Sequence, residues 1–93
     1  MRFAHMKTKD GTLVVVSVSK DKLYITISPE LGMHTGITLD PNAIKWNTMW
    51  FIKIIRGFIE VGNIKCDIFD VAKTVLTLAK KQHYDVLLPV MCS

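Results

Sequence analysis

The sequence predicts an α+β fold: an antiparallel sheet of three to four strands packed on a long helix, with a second helix and a short C-terminal strand. Three observations carry this reading. The first forty residues hold β-branched or alternating runs divided by turn residues. Asp40-Pro41 then pairs an N-cap with a proline at the first helical position. Last, apolar residues recur at helical spacing from Ile68 to Ala79. Residues 1–93 are expected to make one domain, near the lower end of the usual size range.

A first strand is expected over Arg2–Lys9, with Ala4 and Met6 on one side and Phe3, His5 and Lys7 on the other. Asp10-Gly11 is a turn signal. In Thr12–Ser19, Val14, Val16 and Val18 share one face while Leu13 and Val15 take the other, which predicts a central strand covered on both sides. Lys22–Ser28 alternates, with Leu23, Ile25 and Ile27 inward and Tyr24, Thr26 and Ser28 outward. The short Lys20-Asp21 connection predicts a β-hairpin. Pro29 to Gly36 reads as a loop, and Gly36–Leu39 as a short fourth strand.

The helix from Pro41 carries a polar stripe of Asn42, Lys45, Lys53, Arg56 and Glu60. Its remaining positions are almost all apolar, an arc wider than the ~100° expected of a helix lying on one sheet. One apolar side can cover the sheet, and the other must meet a second helix or a second subunit. Gly62-Asn63 is expected to end it. A second helix is expected from Asp67 or Asp70 to about Gln82, with Lys73, Lys80 and Lys81 facing water. Tyr84–Val90 reads as a short returning strand, with Pro89 at its end or edge.

Composition excludes several function classes. A hydrophobic fraction of 49% with 22% charged residues is too apolar for a disordered chain. The apolar stretch from Trp46 to Val61 is interrupted by Lys53 and Arg56, whereas a spanning helix needs ~20 mostly apolar residues. No membrane association is expected, and with no apolar leader before Lys7 and Lys9 the chain reads as cytoplasmic, or nucleoid or nuclear if it binds nucleic acid. Cys66 and Cys92 are expected as free thiols rather than a bridge. His5, His34 and His83 stand at no ligand spacing, so neither a metal nor a cofactor is expected. No catalytic constellation is visible: Gly32 and Gly36 lack the Lys-Ser/Thr of a phosphate loop, and the chain reads as non-enzymatic.

Two surfaces remain as candidates. Lys7, Lys9, Lys20 and Lys22 with the outward Tyr24 form a basic strand-and-hairpin face, and single-stranded nucleic acid needs just such cations for phosphates and rings for unpaired bases. Hairpin lysines also serve solubility and discourage edge pairing, which explains them without a ligand. Trp46, Met49, Trp50 and Lys53 are the candidate interface of a homodimer, the alternative being that the tryptophans fill the core.

The order of segments resembles the positive cofactor four family, transcription coactivators that bind single-stranded DNA. The matching residues are Val16-Ser17-Val18, a short basic loop, Lys22-Leu23-Tyr24-Ile25-Thr26-Ile27, and Gly36-Ile37-Thr38-Leu39-Asp40-Pro41 with Trp46 close behind, within about residues 2–56. The resemblance implies a curved four-stranded antiparallel sheet followed by a helix, dimerisation through the helices, and phosphate contacts at Lys20 and Lys22. The expected function is therefore a small regulator that binds single-stranded DNA or RNA. The alternative is a protein-interaction module, a small inhibitor or regulator that meets a protein partner through exposed apolar surface.

Overall fold

The two-residue side-chain period puts Val14, Val16 and Val18 of one strand and Leu23, Ile25 and Ile27 of the next on a common face, and pairing those faces in register builds one side of the core. Strand β1 (Arg2–Lys7) pairs with β2 (Leu13–Val18), β2 with β3 (Leu23–Glu30), and β3 with β4 (Met33–Leu39), all antiparallel and in sequence order. The computed structural model describes residues 2–30 and 32–92, with the side chains of 2 and 84–92 outside the description. Val14, Val16, Val18, Leu23, Ile25, Ile27 and Ile37 are buried on the inner face. Among the described residues the outer face has no such cover: Leu13, Val15 and Ser17 are half-buried and Tyr24 is exposed. The expectation of a strand covered on both sides is therefore corrected. Both helices follow β4 in the chain and pack on the inner face alone.

The β1–β2 turn closes on Gly11, whose φ of +87° suits a residue without a Cβ. The segment expected as a loop from Pro29 to Gly36 is instead the end of β3 and the start of β4. Pro29 is tolerated because a register shift lies between Ile27 and Glu30, and Gly32 turns the chain at φ +86°. Leu31, in the same segment, lies outside the described residues.

The long helix from Pro41 is also corrected. Asp40 does cap, its Oδ1 accepting from the Asn42 N–H at 2.9 Å, but the turn that it starts is a single 3-10 turn over Pro41–Ala43. Ile44 then leaves helical geometry and is buried. A second cap, the Asn47 side chain accepting from the Trp50 N–H at 2.8 Å, opens helix α1 (Thr48–Val61).

Helix α1 ends where expected. Ile64 N–H donates to Ile59 O at 3.0 Å and Asn63 N–H to Glu60 O at 3.2 Å, with Asn63 at φ 53°, which is a Schellman closure. Ile59 and Ile64 are both buried, supplying its usual apolar contact.

Asp67 caps helix α2 (Ile68–Cys92), its Oδ1 accepting from the Asp70 N–H at 3.2 Å. The C-terminal strand expected over Tyr84–Val90 is absent, because the helix continues through it. No glycine or proline interrupts the chain between Ile68 and His83, so the helix is nucleated and extended well before it meets Pro89. A short apolar run such as Val86-Leu87-Leu88 does not by itself separate strand from helix.

Helix α1 contributes Phe51, Ile55 and Ile59 to the core, and α2 contributes Val71, Ala72, Val75, Leu78 and Ala79. Buried Gln82 ties α2 to the sheet: its Nε2 donates to Val16 O at 2.8 Å and to Leu78 O at 3.3 Å, while its Oε1 is buried with no partner among the described residues. Among the described residues, no helix is long and apolar enough to cross a membrane, and no group of His, Cys, Asp and Glu could hold a metal ion.

Candidate nucleic-acid interface

The strand register arranges the outer face of the sheet in rows. Phe3 lies opposite Ser17, Ser17 opposite Tyr24, and Tyr24 opposite Thr38. Directly opposed residues share a face, so Phe3 and Tyr24 stand on the same uncovered surface. Two strand spacings of about 4.8 Å separate them, with the small Ser17 between. Phe3 is 69% exposed and Tyr24 40%. The Ser17 Oγ at the centre of the row is buried and has no hydrogen-bond partner among the described residues.

The β2–β3 hairpin brings two lysines to the same end of the sheet. Ser19 N–H donates to Lys22 O at 2.8 Å, and Lys22 N–H donates back to the Ser19 Oγ at 3.2 Å, which closes the turn around Lys20 and Asp21. Lys20 and Lys22 are both exposed. Lys22 stands two residues from Tyr24, beside the aromatic row.

Lys7 and Lys9 are not part of this cluster. They flank the β1–β2 turn at the other end of β2, and six residues at ~3.4 Å each put the two basic pairs about 20 Å apart. Their surroundings also differ in sign. The Asp10 carboxylate accepts from the Thr8 hydroxyl, from Thr12 N–H at 3.2 Å and from Asp67 N–H at 3.2 Å. The Lys9 N–H donates to Asp70 Oδ2 at 3.2 Å. These bonds pin the turn to the N-terminal end of α2, where negative charge complements the helix dipole. Asp10, Asp67 and Asp70 place three carboxylates close to Lys9, which offset its charge as a phosphate contact.

The hydrogen bonds from Thr8 and Thr12 lower the Asp10 pKa from 3.8 to about 2. A carboxylate depressed on folding adds stability above its unfolded pKa and loses it as pH falls through the folded value. Asp10→Ala is thus expected to be modestly less stable than the parent chain near neutral pH. The difference between their melting temperatures should shrink as pH falls from about 4 to about 2, a window set by those two values. A constant difference across that range would contradict the linkage.

Cys66 is a free thiol beside the same cluster, while the Cys92 side chain lies outside the described residues. Burial, with Asp10 and Asp67 nearby, pushes the Cys66 pKa up. That is opposite to what a nucleophilic thiol requires.

On the helical side, Trp46 and Trp50 are half-buried and packed on the core. Trp46 stacks on His83, with ring centroids 5.1 Å apart and planes at 22°, and Trp50 meets Phe51 edge-on at 5.1 Å. The tryptophans are thus engaged within the chain, whereas Met49 and Lys53 face outward. Comparisons of the chain with family models, with curated proteins and with solved structures find no match.

Proposed function

We propose that this protein is a non-enzymatic regulator that binds single-stranded nucleic acid across the outer face of its sheet, at the end bearing Phe3, Tyr24, Lys20 and Lys22. The observation that carries the reading is the row of two exposed aromatic rings on an uncovered sheet face beside a basic hairpin turn. Unpaired bases stack on the rings and the lysines neutralise adjacent phosphates, a mode that reads little sequence. The net charge of +4 permits a polyanion, and the resemblance of the segment order to the positive cofactor four family is the ground for the same ligand class and a homodimer. In this reading Lys7 and Lys9 contribute long-range attraction rather than contacts.

A second reading, a module that docks on another protein, is favoured by the exposed apolar side chains of the helices, Met49, Phe58, Val61 and Phe69. The two part on salt. Fluorescence anisotropy with a labelled single-stranded oligonucleotide is expected to show affinity falling as salt rises. Lys20→Glu with Lys22→Glu should weaken binding and lower the log–log salt slope by about 1 to 1.5, as loss of two phosphate contacts requires. Lys7→Glu with Lys9→Glu should leave most of that slope in place. Absence of binding at low salt would overturn the nucleic-acid reading.

A further inference from the structure

Gly36 is the residue of the outer face that folding of this chain does not explain. It lies inside β4, where glycine contributes no side chain to pack and costs more chain entropy than other residues. Unlike Gly11 and Gly32 it has no positive φ, so its backbone conformation is open to residues with a Cβ. It pairs with Thr26 in regular register, outside the shift that begins after Ile27. The residue is exposed, and a Cβ placed on it would meet nothing within 4 Å among the described residues. No turn, bulge or internal contact calls for glycine at this position. Glycine inside a strand also marks the place where a ligand comes close to the backbone.

The register shows what such a ligand would meet. Gly36 is opposite Thr26 and Thr38 is opposite Tyr24, so Gly36 is the diagonal neighbour of Tyr24 on the outer face. Diagonal neighbours stand about 7–8 Å apart, within reach of an aromatic side chain. Strand side chains rise roughly perpendicular to the sheet. A side chain at position 36 would therefore stand beside the flank of Tyr24 that faces away from Lys22. With glycine there, that flank opens on a slot floored by the β4 backbone. On β1 the place beside Phe3 is filled instead by His5, exposed on the same face two residues along the strand.

We propose that Gly36 is a positioning residue for the ligand: it keeps open the slot in which an unpaired base lies against the ring of Tyr24, so its missing side chain serves binding and not folding. The inference rests on the single-stranded nucleic-acid reading above and deepens it, because it sets one base on the side of Tyr24 away from Lys22. A ring for a wall and a backbone for a floor accept the flat face of any base, which agrees with a mode that reads little sequence. A polyanion without bases has no use for the slot.

Gly36→Val on the full chain tests it, with Gly36→Ala as the graded step. Valine is a strong strand former, and the space above Gly36 is open to it. The Gly36→Val chain is expected to melt at or above the parent temperature. It should nevertheless bind a labelled single-stranded oligonucleotide about tenfold or more weakly, the scale of one lost stacking contact. Gly36→Ala should fall between the two. Inorganic polyphosphate, which carries charge but no bases, should bind parent and variant alike, because Lys20 and Lys22 are untouched. Equal oligonucleotide affinities for parent and Gly36→Val would overturn the proposal and leave the nucleic-acid reading standing. Equal losses toward oligonucleotide and polyphosphate, or a melting temperature well below the parent's, would overturn it too, since the glycine would then serve charge placement or folding. A parent chain that binds no oligonucleotide overturns both, so the two failures remain distinct.

Discussion

Phe51→Ala is expected to cost about 3–5 kcal/mol of folding free energy, the range for removing a fully buried aromatic from a core. Phe51 has no exposed surface, and its ring meets Trp46 at 6.1 Å and Trp50 at 5.1 Å between centroids. Loss of the ring removes the contact that both tryptophans share and opens a cavity where the start of α1 enters the core. A chain of this length has a total stability of roughly 5–14 kcal/mol, so the loss is a large share of it. Chemical denaturation followed by tryptophan fluorescence should show a much lower midpoint. Phe58→Ala provides the contrast: its ring is 40% exposed, and the expected cost is below about 1 kcal/mol. Equal losses at the two positions would mean that α1 does not face the sheet as described.

The largest expected effect on ligand binding comes from the aromatic row. Base–ring stacking is worth about 1–3 kcal/mol per base, so Phe3→Ala and Tyr24→Ala should each weaken binding of a single-stranded oligonucleotide about five- to 150-fold. Neither ring belongs to the core, so melting temperatures should hardly move. Duplex of the same length should bind less well, since its bases are not free to stack on the rings. If both alanine variants bind as the parent does, the rings are not a stacking platform and the sheet face loses its role.

Much of this fold is legible in the sequence because local rules agree with one another. Leu23, Ile25 and Ile27 alternate with polar residues and are the buried side of β3. Gly62-Asn63 ends α1, and Asp67 opens α2, by capping chemistry that depends only on neighbours in the chain. The misreadings arise where two signals compete. Asp40 and Asn47 are both good caps ahead of one apolar segment, and the burial of Ile44 separates the short turn from the true helix. Pro29 and Gly32 look like loop residues, yet they sit at a register shift and a tight turn between two strands.

The candidate site was partly legible for a different reason. The alternation of β1 already sets Phe3 on the side of His5 and Lys7, but its placement across from Tyr24 depends on the β1–β2 register. Register is a property of paired strands and turn length, not of either strand alone. The separation of Lys7 and Lys9 from Lys20 and Lys22 follows directly from the length of β2. The acidic surroundings of Lys9 do not, because Asp67 and Asp70 arrive from the far end of the chain.

The most direct measurement is chemical-shift mapping of the isotope-labelled chain titrated with a single-stranded oligonucleotide at low salt. Shifts confined to Phe3, Ser17, Tyr24, Gly36, Thr38 and the Lys20–Lys22 turn are the expected result. Shifts confined to the helices or to the turn around Asp10, or none at all, would contradict the account.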